Sequence, residues 1–272
     1  MSKKNTLLFK TIITAIFIAL SYSLTFVSIP LPTGAKVHLG NFVLVLASLL
    51  FGGFIGGISG SIGMMLNDIV SGYTWDTFVR TLIVKFIFGL VVGILFRLLI
   101  NKKKNLKIVL YSTTFIFLIS FIISLILYFN ASSYDNGNAI INAVIFNNRK
   151  TIKLSILVPI FLSIISIFLI ILSALSFKLD NVTLSVATVT TLGVLLNTIL
   201  EFVSRWIIKG IINSNFNIGL VESISKLPSN LITGVVTIIF ASALFLPLYK
   251  ALKDEKRFVE ISNIKIDESI DL

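Results

Sequence analysis

Apolar stretches separated by short polar ones run along the whole chain, and this pattern predicts a bundle of membrane-spanning helices. A helix of about 20 apolar residues crosses the hydrocarbon core of a bilayer. Eight stretches are apolar enough to form such helices, and they cover residues 7–27, 39–51, 53–70, 76–99, 106–129, 152–177, 182–200 and 227–249. We therefore predict an all-α integral membrane protein with about eight spans.

The second and third stretches are short and are separated at Gly52-Gly53. Two such helices could each cross the membrane at a tilt, or they could enter and leave from one side as a re-entrant pair. We favour two spans, because the basic residues elsewhere then fall consistently on one side. The segment 28–38 contains two prolines and a glycine and is predicted to be a loop. Polar residues predict a second loop over 130–150.

The composition agrees with a lipid environment. Hydrophobic residues make up 56% of the chain and charged residues 13%, whereas charged residues make up about 25% of soluble domains. The chain contains no cysteine and only one histidine, His38, so thiolate and multi-histidine metal sites are excluded. No cofactor is predicted.

The formal net charge of +11 is distributed in a way typical of cytoplasmic loops and not of a nucleic-acid surface. Basic residues cluster beside apolar stretches, at Lys3, Lys4 and Lys10, at Lys102, Lys103, Lys104 and Lys107, and at Lys250, Lys253, Lys256 and Arg257. With an even number of spans, both termini and all three clusters are predicted to be cytoplasmic. Arg149, Lys150 and Lys153 are the exception and are predicted to lie outside.

Lys85 is the clearest polar residue in an apolar stretch. It lies about 12 Å along its predicted helix, where a charged group costs roughly 2.5–3.5 kcal/mol on insertion scales. It shares one helix face with small or polar residues at a spacing of four, which are Thr77, Thr81, Gly89 and Gly93. The side chain could bind an oxygen atom or an anionic group of a substrate, or it could form a structural ion pair with Asp68.

Other polar candidates fall, like Lys85, in the outer half of the predicted bundle, and they are His38, Asp68, Trp75, Glu201 and Asn230. A cluster confined to one half favours an outward-facing pocket, because a through-channel needs a polar lining along its whole length. Each candidate also has a structural interpretation. Trp75 could anchor at the membrane interface, and Glu201 could pair with Arg205 along one helix.

Several catalytic and nucleotide-binding motifs are absent from the sequence. There is no G-x-x-x-x-G-K-[ST] loop, no H-E-x-x-H helix and no G-x-S-x-G elbow. We therefore predict that the chain is not an enzyme. If it transports a solute against a gradient, a partner has to supply the energy.

Residues 11–100 and the last span carry a family resemblance. The run IPLPTGAKVHLGNFVLVLASLLFGGFIGGISGSIGMMLNDIVSG is followed by VKFIFGLVVG, and LPSNLITGVV begins the last apolar stretch. The signature elements are His38-Leu39-Gly40, the D-x-x-x-G from Asp68 to Gly72, and Lys85. Together they resemble the S components of energy-coupling-factor (ECF) transporters, in the riboflavin, pyridoxine and hydroxymethylpyrimidine branch.

The resemblance implies a subunit of the plasma membrane, of bacterial type, that captures a vitamin or vitamin precursor from outside, with the first loop as a lid. It also implies a transmembrane coupling subunit and two cytosolic ATPases as partners. Ala15 and Ala19 match the spacing of the family's docking residues, although ordinary packing within the bundle would explain them equally well. Asn41 is expected at the site, but it stands where family members often have Asp.

The resemblance also predicts how the single membrane domain 1–272 is organised. Family members normally have six spans, so 7–100 would be the first four helices, 105–180 an inserted helical pair, 182–249 the last two helices and 250–272 a cytoplasmic tail. Any of the middle spans could be the extra ones. A rival hypothesis is a self-sufficient secondary carrier, which would need an ion-coupling site and polar groups in the cytoplasmic half.

Overall fold

The computed structural model describes residues 3–30, 36–135, 138–145 and 148–262. Helices dominate these residues, and they are α1 (Lys3–Phe26), α2 (Gly40–Phe51), α3 (Gly53–Val70), α4 (Trp75–Leu99), α5 (Lys103–Phe129), α6 (Leu157–Leu175), α7 (Asn181–Ile212), α8 (Phe216–Leu252) and α9 (Lys256–Ser262). Five short strands accompany them, and they are β1 (Ser28–Pro30), β2 (Lys36–His38), β3 (Ser133–Asp135), β4 (Asn138–Ile145) and β5 (Asn148–Ser155).

The helices confirm the predicted all-α membrane protein. Seven of them in the described part of the chain are long and apolar enough to cross a bilayer, namely α1, α3, α4, α5, α6, α7 and α8. The one predicted span that is not among these seven is the stretch 39–51, which forms α2 and has only 12 residues. Such a helix is about 18 Å long, which is shorter than the hydrocarbon core of about 30 Å.

The chain divides into two compact units. Unit 1 contains Met1–Lys103 and Asp180–Leu272, and unit 2 contains Lys104–Leu179. Unit 1 therefore includes α1 to α4 and α7 to α9, whereas unit 2 includes α5, α6 and the strands β3 to β5.

Helix α2 forms the core of unit 1. All twelve of its residues are buried, and it packs against α1, α3, α4 and α8. The helix has no charged residue and is apolar around most of its circumference, which is the pattern of a helix that is enclosed on all sides. At Gly52 the backbone adopts a φ of +105°, a conformation that glycine adopts readily, and α3 begins at the next residue.

Helices α3 and α4 approach each other closely through glycines. A Cβ atom added to Gly89 would lie 2.5 Å from the Cα atom of Gly57. Gly93 faces Gly53 in the same way. Small residues allow such contacts where lipid provides no hydrophobic drive for association. Gly89 and Gly93, which belong to the predicted Lys85 stripe, therefore serve helix packing.

The two ends of unit 1 differ. At one end, β1 and β2 form a two-stranded antiparallel sheet between α1 and α2, and we call this the hairpin end. The start of α1 and helix α9 lie at the opposite end, which we call the terminal end, where Thr6 Oγ1 donates to Glu260 Oε1 at 2.9 Å. Within the predicted loop 28–38, residues 31–35 lie outside the described residues, as do residues 263–272 of the predicted tail.

In unit 2 the structure differs from the sequence-based prediction. The predicted loop over 130–150 contains most of a three-stranded antiparallel sheet in the order β3-β4-β5. Strand β5 extends to Ser155, so α6 begins at Leu157 and not at residue 152. Ile, Val and Thr favour pleated strands over loops; β4 contains Ile and Val, and β5 contains Thr and Ile.

We expect Gly89→Ala to lower the free energy of unfolding by about 1–3 kcal/mol, a typical cost of overpacking, because the new Cβ atom would meet the backbone of Gly57. Thermal denaturation of the purified protein in detergent measures this loss. Gly234→Ala is a matched control, because the nearest atom there is a side-chain methyl of Val194, which can move. Equal stability of the two variants would contradict the close helix contact.

Candidate functional site

A polar cavity of about 210 Å³ lies at the hairpin end of unit 1. Its lining residues come from six helices and from the hairpin, and they are Thr25, Phe26, Ser28, His38, Asn41, Met64, Asn67, Asp68, Ser71, Tyr73, Thr77, Arg80, Thr81, Lys85, Glu201, Arg205, Lys226, Ser229, Asn230 and Thr233. Most of these side chains are polar, although the helices that carry them are apolar over most of their length. The cavity is therefore the place where the polar residues of the spans converge.

Glu201 is the centre of a buried ionic cluster. Its carboxylate pairs with Arg80 of α4, with Lys85 of α4 at 3.2 Å, and with Arg205 of α7 at 3.6 Å. The side chains of Arg80, Lys85 and Glu201 are all more than nine-tenths buried. In a low-dielectric interior each charge needs such partners. The cluster thus joins α4 to α7 across 121 residues of sequence.

Lys85 forms an ion pair, but its partner is not the predicted one. Its Nζ atom donates to Asn197 Oδ1 at 3.0 Å and lies 3.2 Å from Glu201 Oε1. Asp68 instead accepts a hydrogen bond from Thr81 Oγ1 at 2.6 Å. Asp68 and Lys85 therefore line the same cavity without a direct contact in the described part of the chain.

Two amide groups in the lining have unused hydrogen-bonding atoms. Asn41 Oδ1 and Asn67 Nδ2 are buried and have no hydrogen-bond partner among the described residues. The two residues are only 4% and 6% exposed. A buried polar atom without a partner costs about 1–3 kcal/mol. The cavity thus presents an acceptor and a donor that a guest molecule would satisfy.

His38 is the last residue of strand β2 in the hairpin, and it contacts the start of α2. Its Nδ1 atom accepts a hydrogen bond from the Gly40 amide at 3.2 Å, so the neutral ring carries its proton on Nε2. Burial and the positive charge of Lys85 lower the pKa of His38 from 6.5 to about 4, although Glu201 opposes the shift. The ring is therefore neutral at neutral pH.

The structure brings most of the predicted site residues together. Six of the seven line the cavity, and they are His38, Asn41, Asp68, Lys85, Glu201 and Asn230. Trp75 does not line it. Trp75 is 65% exposed in the first turn of α4, a position that fits its alternative interpretation as an interfacial anchor.

Sequence reasoning missed Arg80, Asn197 and Lys226. Arg80 carries the same signal that singles out Lys85, since it is an ionisable residue inside an apolar stretch. Lys226 lies just before the predicted last span, and the structure extends that helix to start at Phe216. No local pattern singles out Asn197, whose role depends on its contact with Lys85.

Ala15 and Ala19 lie on a surface that unit 1 leaves open. Both are exposed on α1, and only 6% of the most apolar window of this helix is buried. They therefore do not pack inside unit 1, which was the alternative interpretation from the sequence. The surface they form is available to lipid or to a partner.

The described residues contain no group of three or more His, Cys, Asp or Glu side chains that could hold a metal ion.

We expect the wild type to lose more stability than His38→Asn as the pH falls from 6.5 to about 4. In this window the unfolded chain takes up a proton on His38 that the folded chain does not, so stability decreases. Asn keeps an acceptor for the Gly40 amide but does not titrate. Thermal denaturation of both proteins across this pH range measures the difference. Parallel pH profiles would contradict the assignment of a neutral, half-buried His38.

The chain is similar to one protein family and to one curated protein. The family model described as "ECF-type riboflavin transporter, S component" matches residues 5–176. A Pyrococcus woesei protein described as "Uncharacterized protein in gap 3'region" is 32% identical over 76 residues, which are 28% of this chain and 50% of that protein. The chain thus spans half the length of this curated relative. No solved structure matches the chain.

Proposed function

Since the chain belongs to the ECF-type riboflavin transporter S component family, we propose that it captures a vitamin or vitamin precursor in the cavity at the hairpin end. Partner subunits that hydrolyse ATP would then provide the energy for uptake of the ligand into the cell. A transporter component of this family is a membrane protein and not a member of an enzyme family, in agreement with the helices long enough to cross a membrane.

The observation that carries this proposal is the pair of unpartnered amide atoms in the cavity. Asn41 Oδ1 can accept a hydrogen bond and Asn67 Nδ2 can donate one, and neither does so within the described residues. Buried polar atoms in folded proteins are nearly always paired with protein or water. A ligand that offers one donor and one acceptor, as heteroaromatic rings and their substituents do, would satisfy both.

The distribution of polar groups supports capture over conduction. Along α4 beyond Lys85, the buried residues are Phe88, Gly89, Val92, Gly93 and Phe96, and none of them carries a polar side chain. The buried Ser48 hydroxyl of α2 donates to the backbone of its own helix, although the Thr188 and Thr190 hydroxyls of α7 have no hydrogen-bond partner among the described residues. A permeation path needs polar groups along its whole length, so the cavity is better suited to hold a ligand than to conduct it.

The same distribution weighs against the self-sufficient secondary carrier, which needs polar groups in both halves of the bundle. The sequence also has no nucleotide-binding loop of its own. We therefore propose a transmembrane coupling subunit and two cytosolic ATPases as partners. Uptake in cells that lack these ATPases would favour the carrier.

We also propose an orientation in the plasma membrane. Helix α1 begins, and α4 and α8 end, at the terminal end of unit 1, and basic residues such as Lys10, Lys102 and Lys250 lie beside these helix ends in the sequence, as is typical of cytoplasmic loops. The hairpin end would then face outward, and the ligand would enter from outside. Labelling of His38 or Asp68 from the cytoplasm would contradict this orientation.

Unit 2 is our proposal for an inserted helical pair. Its boundaries at Lys104 and Leu179 lie close to the range 105–180, and the rest of the chain forms a unit with six long or apolar helices and the short α9. An insertion of two spans leaves the topology of the following helices unchanged. The family match runs through both α5 and α6, so it includes residues of this pair.

We expect Lys85→Met to weaken ligand binding by at least about tenfold, or about 1.4 kcal/mol, because the substitution removes a buried cation from the cavity wall. The ligand is first identified by mass spectrometry of the small molecule released from the purified protein. Calorimetric titration of that molecule then compares the variant with the wild type.

Lys209→Met is the matched control for this titration. Lys209 is also an ion-paired lysine of the bundle, with Nζ 2.9 Å from Asp76 Oδ2, but it does not line the cavity. The control should keep the affinity of the wild type. Unchanged affinity in Lys85→Met would remove Lys85 from the binding site.

We expect the double substitution Ala15→Leu and Ala19→Leu to reduce co-purification of the coupling subunit by about tenfold or more, because close helix approach requires small side chains. Ligand affinity should not change, since neither residue lines the cavity. Ile12→Leu with Ile16→Leu is the control, because these exposed α1 residues change shape without adding volume. Wild-type yield of the complex from the alanine variant would refute docking at this face.

A further inference from the structure

A second cavity lies at the terminal end of unit 1, and its volume is about 370 Å³. Its lining comes from the first part of α1, the junction of α2 and α3, the last part of α4, and helix α9. None of its lining residues belongs to the cavity at the hairpin end. It is therefore a separate site, which the proposed capture function does not use.

Both charged side chains in this lining are cationic. They are Lys10 of α1 and Arg97 of α4, and no Asp or Glu among the described residues lines the cavity. In the described part of the chain, neither cation forms a salt bridge. Glu260 of α9 accepts a hydrogen bond from Thr6 and does not line the cavity. The cavity thus has an excess of positive charge.

The guanidinium of Arg97 is half-buried, and its donors are only partly used. Its Nη1 atom donates to the Gly93 carbonyl at 3.0 Å, and Nη2 donates to the Ser262 carbonyl at 2.7 Å. Both acceptors are uncharged. A guanidinium carries five N–H donors and can bind a phosphate through two of them at once. Arg97 therefore retains both the charge and the donors to bind an anion.

The start of α3 adds to the positive potential beside Arg97. A Cβ atom on Gly52 would lie 3.0 Å from Arg97 Nη2, so the guanidinium lies against the junction at which α3 begins. No side chain caps this helix, and the first amides of an α-helix have no acceptor within it. The amide end of a helix also favours negative charge. Two positive groups thus meet where the described residues provide no negative one, and an anion would stabilise both.

Apolar side chains beside the cations indicate that the anion belongs to a lipid. Phe54 of α3 and Ile94 of α4 line the same cavity and are 64% and 54% exposed. Both helices are long and apolar enough to cross a bilayer, so these side chains are suited to contact acyl chains. A free phosphate ion gains nothing from such a surface, whereas a phospholipid joins a phosphate to acyl chains. Basic pockets between membrane helices bind anionic headgroups in this way.

We propose that this cavity binds an anionic phospholipid. Its phosphate accepts hydrogen bonds from Arg97 and from the first amides of α3, and Lys10 contributes a second positive charge. The acyl chains lie along Phe54 and Ile94. This site goes beyond the proposed capture of a vitamin and does not depend on it.

The test counts the lipids that bind to the purified full-length protein in detergent, by native mass spectrometry. Dioleoyl phosphatidylglycerol is compared with dioleoyl phosphatidylcholine, which has the same acyl chains and a phosphate but no net charge. We expect the first phosphatidylglycerol molecule to bind about ten times more tightly or better, a difference of about 1.4 kcal/mol. Equal affinity for the two lipids would overturn the inference.

A pair of matched arginine variants locates the bound lipid. Arg97→Gln should weaken phosphatidylglycerol binding about tenfold and leave phosphatidylcholine binding unchanged, because Gln can still donate to the Ser262 carbonyl but carries no charge. Arg257→Gln removes the same charge from α9 outside the cavity lining and should change neither affinity. An equal loss in both variants would indicate general attraction to the basic surface, which would also overturn the inference.

Lys10→Gln keeps the test decisive if Arg97→Gln disturbs the attachment of α9. Lys10 is exposed and forms no hydrogen bond or salt bridge in the described part of the chain. The variant should therefore keep the thermal stability of the lipid-free wild type and bind phosphatidylglycerol several-fold more weakly. Wild-type affinity in Lys10→Gln, together with an equal loss of both lipids in Arg97→Gln, would show that Arg97 only supports the fold.

Two further experiments separate the lipid from other anionic occupants. A large excess of inorganic phosphate should not displace phosphatidylglycerol, and displacement would assign the cavity to a free anion. The C-terminal segment contains the acidic residues Asp267, Glu268 and Asp271, so a variant truncated after Ser262 should bind the lipid as the full chain does. Lipid binding that occurs only after truncation would assign the cavity to that segment. Either result would overturn the inference.

Discussion

The ionic cluster around Glu201 is the interaction on which the hairpin end of the bundle depends. Arg80 and Lys85 would be expensive to hold inside a membrane helix without a nearby carboxylate. Glu201 of α7 provides this carboxylate. The ion pairs therefore fix the position of α4 along α7. The cluster also sets the chemistry of the cavity, since Glu201 and the three cationic side chains that surround it all line the cavity wall.

Packing divides the bundle into a tight part and an open part. Between Lys85 and the terminal end of unit 1, the glycine contacts between α3 and α4 and the buried helix α2 fill the interior. Towards the hairpin end the same helices carry longer polar side chains, and the space between them remains open. The direction of each side chain on α4 therefore matters. Gly89 contacts α3, while Lys85, one turn earlier, contacts α7.

The two ends of the cavity differ in polarity. The floor of the cavity is apolar and tightly packed, whereas its upper wall includes the hairpin residues Ser28 and His38. A neutral His38 contributes hydrogen bonds without adding to the positive charge. The exposed face of α1 at Ala15 and Ala19 does not line the cavity, so the proposed ligand site and the proposed docking face involve different residues.

The sequence by itself determined the class of the protein, most of its helices and its most conspicuous polar residues. Apolar length is a local property, so the spans could be read directly, and a charged residue within such a stretch, such as Lys85, is visible without knowing its neighbours. The sequence did not determine that the apolar stretch 39–51 would form a short, fully enclosed helix. It also gave no sign of the sheet in unit 2, because strand pairing depends on residues brought together by folding.

Only the tertiary structure decided which side chains meet. Lys85 pairs with Glu201 and Asn197, more than a hundred positions away, and not with Asp68. Trp75 is placed outside the cavity and Arg80 inside it, although both lie at the start of the same helix. The physical reason is that a helix fixes the rotation of its own residues, whereas the neighbouring helices decide which of its faces meets lipid, backbone or an opposite charge.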